Sequence, residues 1–381
     1  MDSYLKHYKM KLHTIAPVFV GSGESLGKKE YLLLRGEKKV VIPDFEKFYV
    51  AMRKAGLERE LIRYLTSSNK NDSNLYGWLK KHKILVNDYR KWCSYTLDCG
   101  DRLELKGAIE IKSCQKDGYG LPYVPGTTIK GMLRTILLAY EIQKAPEMFQ
   151  FVKKNICEKL YSDEKIDRKY FLQSCISEAE NLAFHKLNRI DQEGNKVRKA
   201  DAVNDILSGL IIGDSTPLKL EDLTLCQKID ENVHGERQSI NILRESIKPE
   251  RDILFDLTID STLCPYTIED IMSAVEKFSD LYYERYLKFY QEIVHPSSDS
   301  VWIGGGSGFF TKTVLYPLMG EEDGVFSAMK VFEKTLPEEV QRQHKHFKDR
   351  NDRVSPHMVK YTKNEGKLYQ IGMCRLSVCG Q

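Results

Sequence analysis

Apolar and polar residues alternate with a period of two in several stretches of the chain, the signature of strands that bury one face. Ile253, Phe255, Leu257 and Ile259 stand against Asp256, Thr258 and Asp260, and Leu103, Leu105, Ile109 and Ile111 against Arg102, Glu104, Lys106, Glu110 and Lys112. Tyr8, Met10 and Leu12 open a similar strand that runs on into Ala16–Val20. Tyr31–Leu34 and Lys39–Ile42, joined through Arg35-Gly36-Glu37-Lys38, predict a hairpin. Leu210–Ile212, Leu223–Ile229 and Leu368–Cys374 are further predicted strands.

Elsewhere the period changes to that of a helix. Asp44 is a predicted N-cap for a helix with Phe45, Phe48, Tyr49 and Met52 at helical spacing. Leu57–Leu65 continues it after Gly56, and Leu75–Leu97 reads as helical in part. Glu147–Leu160 and Ser174–Leu187 are predicted helices. Thr267 and Asp270 form a capping box at the head of Thr267–Val294, where Ile271, Val275, Phe278, Tyr282, Phe289 and Ile293 make a stripe. This mixture predicts an α+β fold built on antiparallel sheets with helices segregated to one side. The helical run at about 44–98 reads as an insertion between early strands. With 381 residues the chain is long for one core and comfortable for two.

Composition adds mostly exclusions. Apolar residues make up 41%, with no run long enough to span a bilayer, and Met1–Lys11 is polar with alternating charges, unlike a secretory or transit signal. A cytoplasmic protein is expected. The nine cysteines are scattered without a Cys-x-x-Cys pair, which argues for reduced, mostly buried thiols. A net charge of +4 and a pI near 8.4 do not announce nucleic acid, since dedicated binding domains often exceed a pI of ~9. Charge does cluster at 341–363, where Arg342, Lys345, Lys348, Arg350, Arg353, Lys360 and Lys363 face only Asp349 and Asp352. A solvated loop explains that run as well as a binding face does. His344 and His346 alternate within it, a spacing of surface positions rather than of metal ligands, so neither metal nor cofactor is expected.

Three glycine-containing turns carry the candidate chemistry. In Gly120–Tyr140, Pro125-Gly126 signals a turn, and Thr127 or Thr128 is a predicted N-cap. Ile129, Leu133, Ile136, Leu137 and Tyr140 then form the buried stripe, while Lys130 and Arg134 share another face beside Gly131. A helical glycine costs ~1 kcal/mol relative to alanine, so close approach of another backbone, protein or RNA, is the expected gain. The helix N-terminus adds amide donors suited to an anion. The plain alternative is an ordinary capped helix with solvated Lys130 and Arg134.

The second turn, Val20–Lys29, approaches a nucleotide P-loop and fails, with Ser22 in place of the first glycine and Lys29 in place of the metal-binding hydroxyl. The dinucleotide fingerprint fails at Leu26. What remains is a flexible, donor-rich turn, Gly21-Ser22-Gly23, followed by Lys28 and Lys29. In the third, Gly304-Gly305-Gly306-Ser307-Gly308, successive amides are suited to an anion-binding nest. Its flanking aromatics, Trp302 and Phe309-Phe310, either stack on bases or close the core.

These turns, in this order, resemble the RAMP superfamily of CRISPR-associated RNA-binding proteins. The resemblance rests on Ala16–Gly23, on Pro-Gly-Thr-Thr-Ile-Lys-Gly-Met-Leu-Arg at 125–134, on Ile212-Gly213-Asp214-Ser215, on Arg244-Glu245-Ser246-Ile247 and on Gly304–Gly308. Motif order and chain length look most like the type III-A subunits that cap the 3′ end of the CRISPR RNA (crRNA) in the Csm complex. The resemblance implies two tandem ferredoxin-like, RRM-related modules, at 1–217 and 218–381. It also implies a place at the end of a filament of related subunits. Candidate partners are the 3′ region of the crRNA, target RNA, other RAMP subunits and recruited host nucleases, with roles in crRNA maturation and assembly for antiviral defence. Carried onto this sequence, the RNA-facing positions are Gly21, Ser22, Gly23, Lys130, Arg134, Gly304, Gly305, Gly306, Ser307, Gly308 and Lys312. The turns' own chemistry adds Lys28, Lys29, Thr127 and Gly131.

Some relatives in that superfamily cut RNA. A metal-independent ribonuclease needs a general acid and base. His13, near the first glycine turn, is the best candidate, but it has no visible partner; His185 and His234 have none either. Asp214 reads equally as a buried structural residue, and no acidic cluster suggests a two-metal nuclease. The expectation is binding without catalysis. The rivals are an endoribonuclease of the same fold and, from another class, a nucleotide-binding enzyme using Gly21–Lys29 or Gly304–Lys312.

Overall fold

The computed structural model describes residues 4–101, 109–162, 170–291, 293 and 295–380. In chain order the strands are β1 (Leu5–Thr14), β2 (Gly21–Leu26), β3 (Leu32–Leu34), β4 (Lys39–Pro43), β5 (Cys93–Cys99), β6 (Ile111–Cys114) and β7 (Leu210–Ile212). They continue with β8 (Leu223–Asn232), β9 (Arg237–Ile247), β10 (Asp252–Asp260), β11 (Ser300–Trp302), β12 (Met358–Asn364), β13 (Lys367–Gln370) and β14 (Met373–Val378). The helices are α1 (Phe45–Lys54), α2 (Glu58–Thr66), α3 (Leu75–Lys81), α4 (Gly126–Lys144), α5 (Gln150–Tyr161) and α6 (Gln173–Phe184). After these come α7 (Ile268–Arg285), α8 (Leu315–Met319), α9 (Glu321–Thr335), α10 (Glu338–His344) and α11 (Asp349–Asp352). Among the described residues, no helix is long and apolar enough to cross a membrane.

One sheet runs β11-β14-β1-β10-β7, every neighbour antiparallel. Its register sets Met10 beside Phe255 and Leu12 beside Ile253, so the two alternating apolar sets fall on one face and enter a common core. The other face is zipped by polar pairs, Lys9 with Asp256 at 2.7 Å and His7 Nδ1 with Thr258 Oγ1 at 2.8 Å. The second sheet runs β2-β6-β9-β8-β5-β4-β3, with β12 added to β8 and β13 to β12. Here the expectation of purely antiparallel sheets needs correcting: β5 and β8, and β6 and β9, pair in parallel. Each of those pairs joins an early strand to one more than 120 residues later, so the connection is not a hairpin. Both sheets take strands from either side of residue 217. Helices α4 and α7 pack against one another over the main core.

Between β4 and β5 lie α1, α2 and α3; the helical run foreseen at about 44–98 stops short of its far bound, because Cys93–Cys99 is β5. Asp44 caps α1 by accepting from the Lys47 N–H at 3.1 Å. The insertion has its own small core of Phe48, Met52, Leu61, Leu75, Trp78 and Trp92, seated on Leu32 and Val41 of the β3–β4 hairpin.

Four stretches depart from the expected pattern. The first half of the strand foreseen at 102–112 lies outside the described residues, and β6 begins at Ile111. Ala16–Val20 leaves β1, with Val18 held to Ile247 by mutual backbone hydrogen bonds, and the chain re-enters a sheet as β2. The stretch foreseen as Leu368–Cys374 is broken at Gly372, whose φ of +84° lies outside the extended region, into β13 and β14. Strand β9 has no clean alternation because Leu243, Glu245, Ser246 and Ile247 are all buried.

Candidate nucleic-acid interface

Helix α4 starts at Gly126, and its cap is not Thr127 or Thr128. Pro125 occupies the N-cap without a side-chain bond. The Asp214 carboxylate instead accepts from the Gly126 N–H at 2.7 Å. Asp214 is therefore structural, though exposed rather than buried. A Cβ at Gly126 would collide with the carbonyl oxygens of Ile212 and Gly213, so this glycine lets the helix start directly on the end of β7. Gly131 is different. It is exposed, and a Cβ there would meet nothing within 4 Å.

The glycines of the third turn meet the second. Gly305 donates its N–H to the Phe19 carbonyl at 2.6 Å. A Cβ at Gly304 (φ +83°) would collide with that same carbonyl, and one at Gly305 would sit 2.8 Å from the Phe19 ring. A Cβ at Gly21 would touch the ring's far edge at 2.8 Å. Phe19 thus needs a glycine on each side of it. Gly306 (φ +94°) leaves room for Arg244 of β9, whose Nη1 would lie 2.6 Å from a Cβ. The Arg244 guanidinium lies 5.4 Å from the centre of the Phe19 ring. Its Nη1 is buried without a hydrogen-bond partner, as is Trp302 Nε1. Ser307 is buried; its hydroxyl donates to the Gly304 carbonyl at 3.1 Å and accepts from Thr311 Oγ1 at 3.0 Å, locking the loop.

All three turns open onto one hollow of about 360 Å³, lined by Gly21, Thr128, Gly131, Thr135, Gly304, Gly305, Ser307 and Lys312 among others. Among the described residues that line it, none is Asp, Glu, His, Tyr or Cys. Lys312 is accessible at its rim, and partial desolvation together with the Arg244 charge holds its ammonium below the usual lysine pKa. A larger hollow of about 860 Å³ lies elsewhere, lined by Glu321, Glu322 and Asp323 together with Lys288, Arg350 and Arg353, so its charges are mixed, and none of the three glycine turns reaches it.

Other residues foreseen for RNA are engaged within the chain. Lys130 Nζ donates to the Leu207 carbonyl at 2.7 Å. Arg134 grips Glu180 with Nε (3.1 Å) and Nη2 (3.2 Å) and Asp205 with Nη1 (2.6 Å), lying over the Phe184 ring. That face of α4 packs on 180–207, whereas Thr128, Gly131 and Thr135 share the face toward the hollow. The second turn is built into a sheet: Gly21–Leu26 is β2, paired with β6 across a register shift. Gly23 keeps the left-handed φ of +92° and Ser22 Oγ donates to the Ser113 carbonyl at 3.3 Å. Lys28 donates to the carbonyls of Lys70 and Asp72, and Lys29 to those of Tyr64 and Ser67 and to the Asp72 carboxylate, tying the insertion to the sheet. Thr127 is exposed on the first turn of α4, and Gly308 (φ +106°) ends the loop. Trp302 and Phe310, whose role was open, are core residues packed on Tyr282, each at 4.7 Å between ring centres.

Phe19 and Arg244 were missing from the expected set. Arg244 stood in a motif stretch without a role, and only strand pairing brings it beside Gly306. His13 lies on the outer face of β1, its Nδ1 2.7 Å from Asp252 and its Nε2 3.2 Å from Glu250. His346, expected at the surface, is largely buried, with its side chain 11% exposed.

The chain is 27% identical over 405 residues to the CRISPR system Cms protein Csm5 of Mycobacterium tuberculosis (strain ATCC 25618 / H37Rv), with 99% of each covered. It is 25% identical over 342 residues to the protein of the same name from Streptococcus thermophilus, covering 87% of this chain and 86% of that one. Among solved structures it resembles a chain in the cryo-EM structure of a Csm–crRNA–target RNA ternary complex of a type III-A CRISPR-Cas system. That match has a TM-score of 0.60 at 18% identity, with 97% of this chain and 100% of that chain covered. It also resembles the crystal structure of T. onnurineus Csm5, with a TM-score of 0.57 at 18% identity and coverage of 96% and 99%. The RAMP superfamily model matches residues 11–311, which hold all three glycine turns, and this chain belongs to that superfamily.

Proposed function

We propose that this chain is a non-catalytic, crRNA-binding subunit of a type III-A CRISPR effector ribonucleoprotein. In this reading it caps the 3′ region of the crRNA, with target RNA and other Csm subunits as partners, and supports crRNA maturation and complex assembly. The observation that carries the reading is the convergence of three glycine turns, far apart in sequence, on one hollow with Lys312 at its rim. Gly131 adds to it: nothing in the chain's own packing requires a glycine there, so its ~1 kcal/mol cost to the helix is offset by the approach of a ligand. Buried donors beside the hollow, Arg244 Nη1 and Trp302 Nε1, suit an anion. With its aromatics in the core, the site reads backbone rather than bases. The Csm5 names of the relatives and the ternary complex among the structural neighbours support the assignment to a Csm complex. For the fold's finer description, we take the ferredoxin-like modules to share strands across residue 217.

The ribonuclease reading would have to use Lys312, since the hollow's other described lining residues include no carboxylate, imidazole or phenol to serve as its partner, and His13 lies on another face with both ring nitrogens against carboxylates. The test is salt-dependent binding of crRNA by the purified chain and by the reconstituted complex. Lys312→Ala is expected to lower the slope of log K against log[salt] by ~0.7, one single-strand phosphate contact. Gly131→Ala is expected to raise helix stability by up to ~1 kcal/mol while weakening RNA binding several-fold. Wild-type affinity and slope in both variants would remove the hollow as the RNA site.

A further inference from the structure

The segment from 344 to 357 carries a second cluster, away from the hollow's lining. Asp349 is fully buried, and its carboxylate accepts from His346 Nδ1 at 3.0 Å, His357 Nδ1 at 2.5 Å and Ser355 Oγ at 2.6 Å. The two imidazoles are 11% and 13% exposed, with ring centres 4.9 Å apart. The His346 ring is stacked on Phe332 at 4.5 Å. One donor atom from each of His346, Asp349 and His357 lies within 4.8 Å of the other two.

Among the described residues, Asp349 has no lysine or arginine as an ion-pair partner, only the two histidines. A buried carboxylate needs a counter-charge, which here has to come from an imidazolium or from a bound cation. Two imidazole nitrogens and one carboxylate oxygen gathered to the width of one coordination sphere are the donor set of a borderline divalent ion such as Zn²⁺. Magnesium and calcium take all-oxygen shells. Ser355 Oγ, bonded to the carboxylate, orients it in the way outer-shell groups orient metal ligands.

We propose that His346, Asp349 and His357 form a binding site for a zinc-class divalent cation, with its fourth position left to water or an incoming ligand. On binding, each Nδ1 presents its lone pair to the ion, and the proton it shared with Asp349 moves to Nε2 or leaves to solvent. The ion neutralises the buried carboxylate and ties α11 and the turn before it to the chain entering β12. This reading does not depend on the RNA site.

The experiment is titration of the chelator-treated, full-length chain with Co²⁺ alone. It is followed by visible d–d absorption and by elemental analysis of the zinc-reconstituted protein. One equivalent is expected to bind saturably with the spectrum of a four-coordinate cobalt site, and Zn²⁺ is expected to displace it. His346→Ala and His357→Ala are each expected to bind more than ~10-fold more weakly, and Ser355→Ala about 10-fold more weakly. His234→Ala, at an exposed imidazole, is expected to bind as wild type. Absence of a saturable one-equivalent cobalt signal in the wild-type chain overturns the proposal. So does wild-type affinity in both histidine variants, which would leave the cluster as a hydrogen-bonded clasp. Should either alanine variant fail to fold, the wild-type titration and Ser355→Ala decide.

Discussion

Replacing Arg134 with alanine separates a structural cation from an RNA-binding one. From α4 its guanidinium makes three hydrogen bonds, two to Glu180 and one to Asp205, and lies 4.9 Å over the Phe184 ring. The arginine side chain is 23% exposed, Glu180 33% and Asp205 16%. A fully buried charged hydrogen bond contributes ~1.5–3 kcal/mol, but solvent screening at the Glu180 side brings that pair down to ~0.5–1. Asp205, more enclosed and left without its partner, accounts for ~1–2, and the cation–π contact for ~0.5–1. Arg134→Ala is therefore expected to destabilise the fold by about 2–4 kcal/mol. The assay is urea unfolding followed by circular dichroism, with a lower midpoint at unchanged m-value. Under native conditions the salt slope of crRNA binding is expected to match wild type. A variant as stable as wild type whose slope falls by ~0.7 would refute this reasoning and put Arg134 on a phosphate.

Three further outcomes follow from the geometry. Gly304→Ala forces a side chain into the left-handed region, at ~1–2 kcal/mol, and against the Phe19 carbonyl; it is expected to lower the melting temperature more than Gly23→Ala, where a Cβ meets open space. Lys29→Ala is expected to speed proteolytic cleavage within 67–72 by releasing the Ser67 and Asp72 contacts; cleavage as in wild type would mean that the insertion is held by its small core alone. Because desolvation and Arg244 lower the Lys312 pKa, its charge is present below that lowered value and lost as pH rises through it, earlier than for an ordinary lysine. RNA affinity measured against rising pH is expected to fall first in wild type and to hold longer in Lys312→Arg.

The alternation of β1 and β10 gave their buried faces correctly because an alternating strand has only one apolar side to bury. The capping box at Thr267 and Asp270 likewise formed as read, since both partners lie within four residues. Strand β9 was illegible because its second half is buried on both faces, which erases the alternation. The α7 stretch ended at Arg285 rather than running to 294, and Tyr286, Leu287 and Tyr290 are buried in the core beyond it. The His346–Asp349–His357 cluster was hidden in a basic run whose spacing resembles a surface loop, and folding turned those three residues inward.

By itself the sequence determined which segments could expose backbone: the turns at Gly21, Gly126–Gly131 and Gly304–Gly308 are legible because glycine acts through its own φ and its missing Cβ. Tertiary structure alone decided which cations remain available beside them. Arg134 meets carboxylates 46 and 71 residues away, Lys130 a carbonyl 77 away, and Lys28 and Lys29 the insertion. Lys312 is left at the rim and Arg244 behind Gly306. A side chain's charge is written in the sequence, but the partner that neutralises it arrives through a long-range contact that no local pattern encodes.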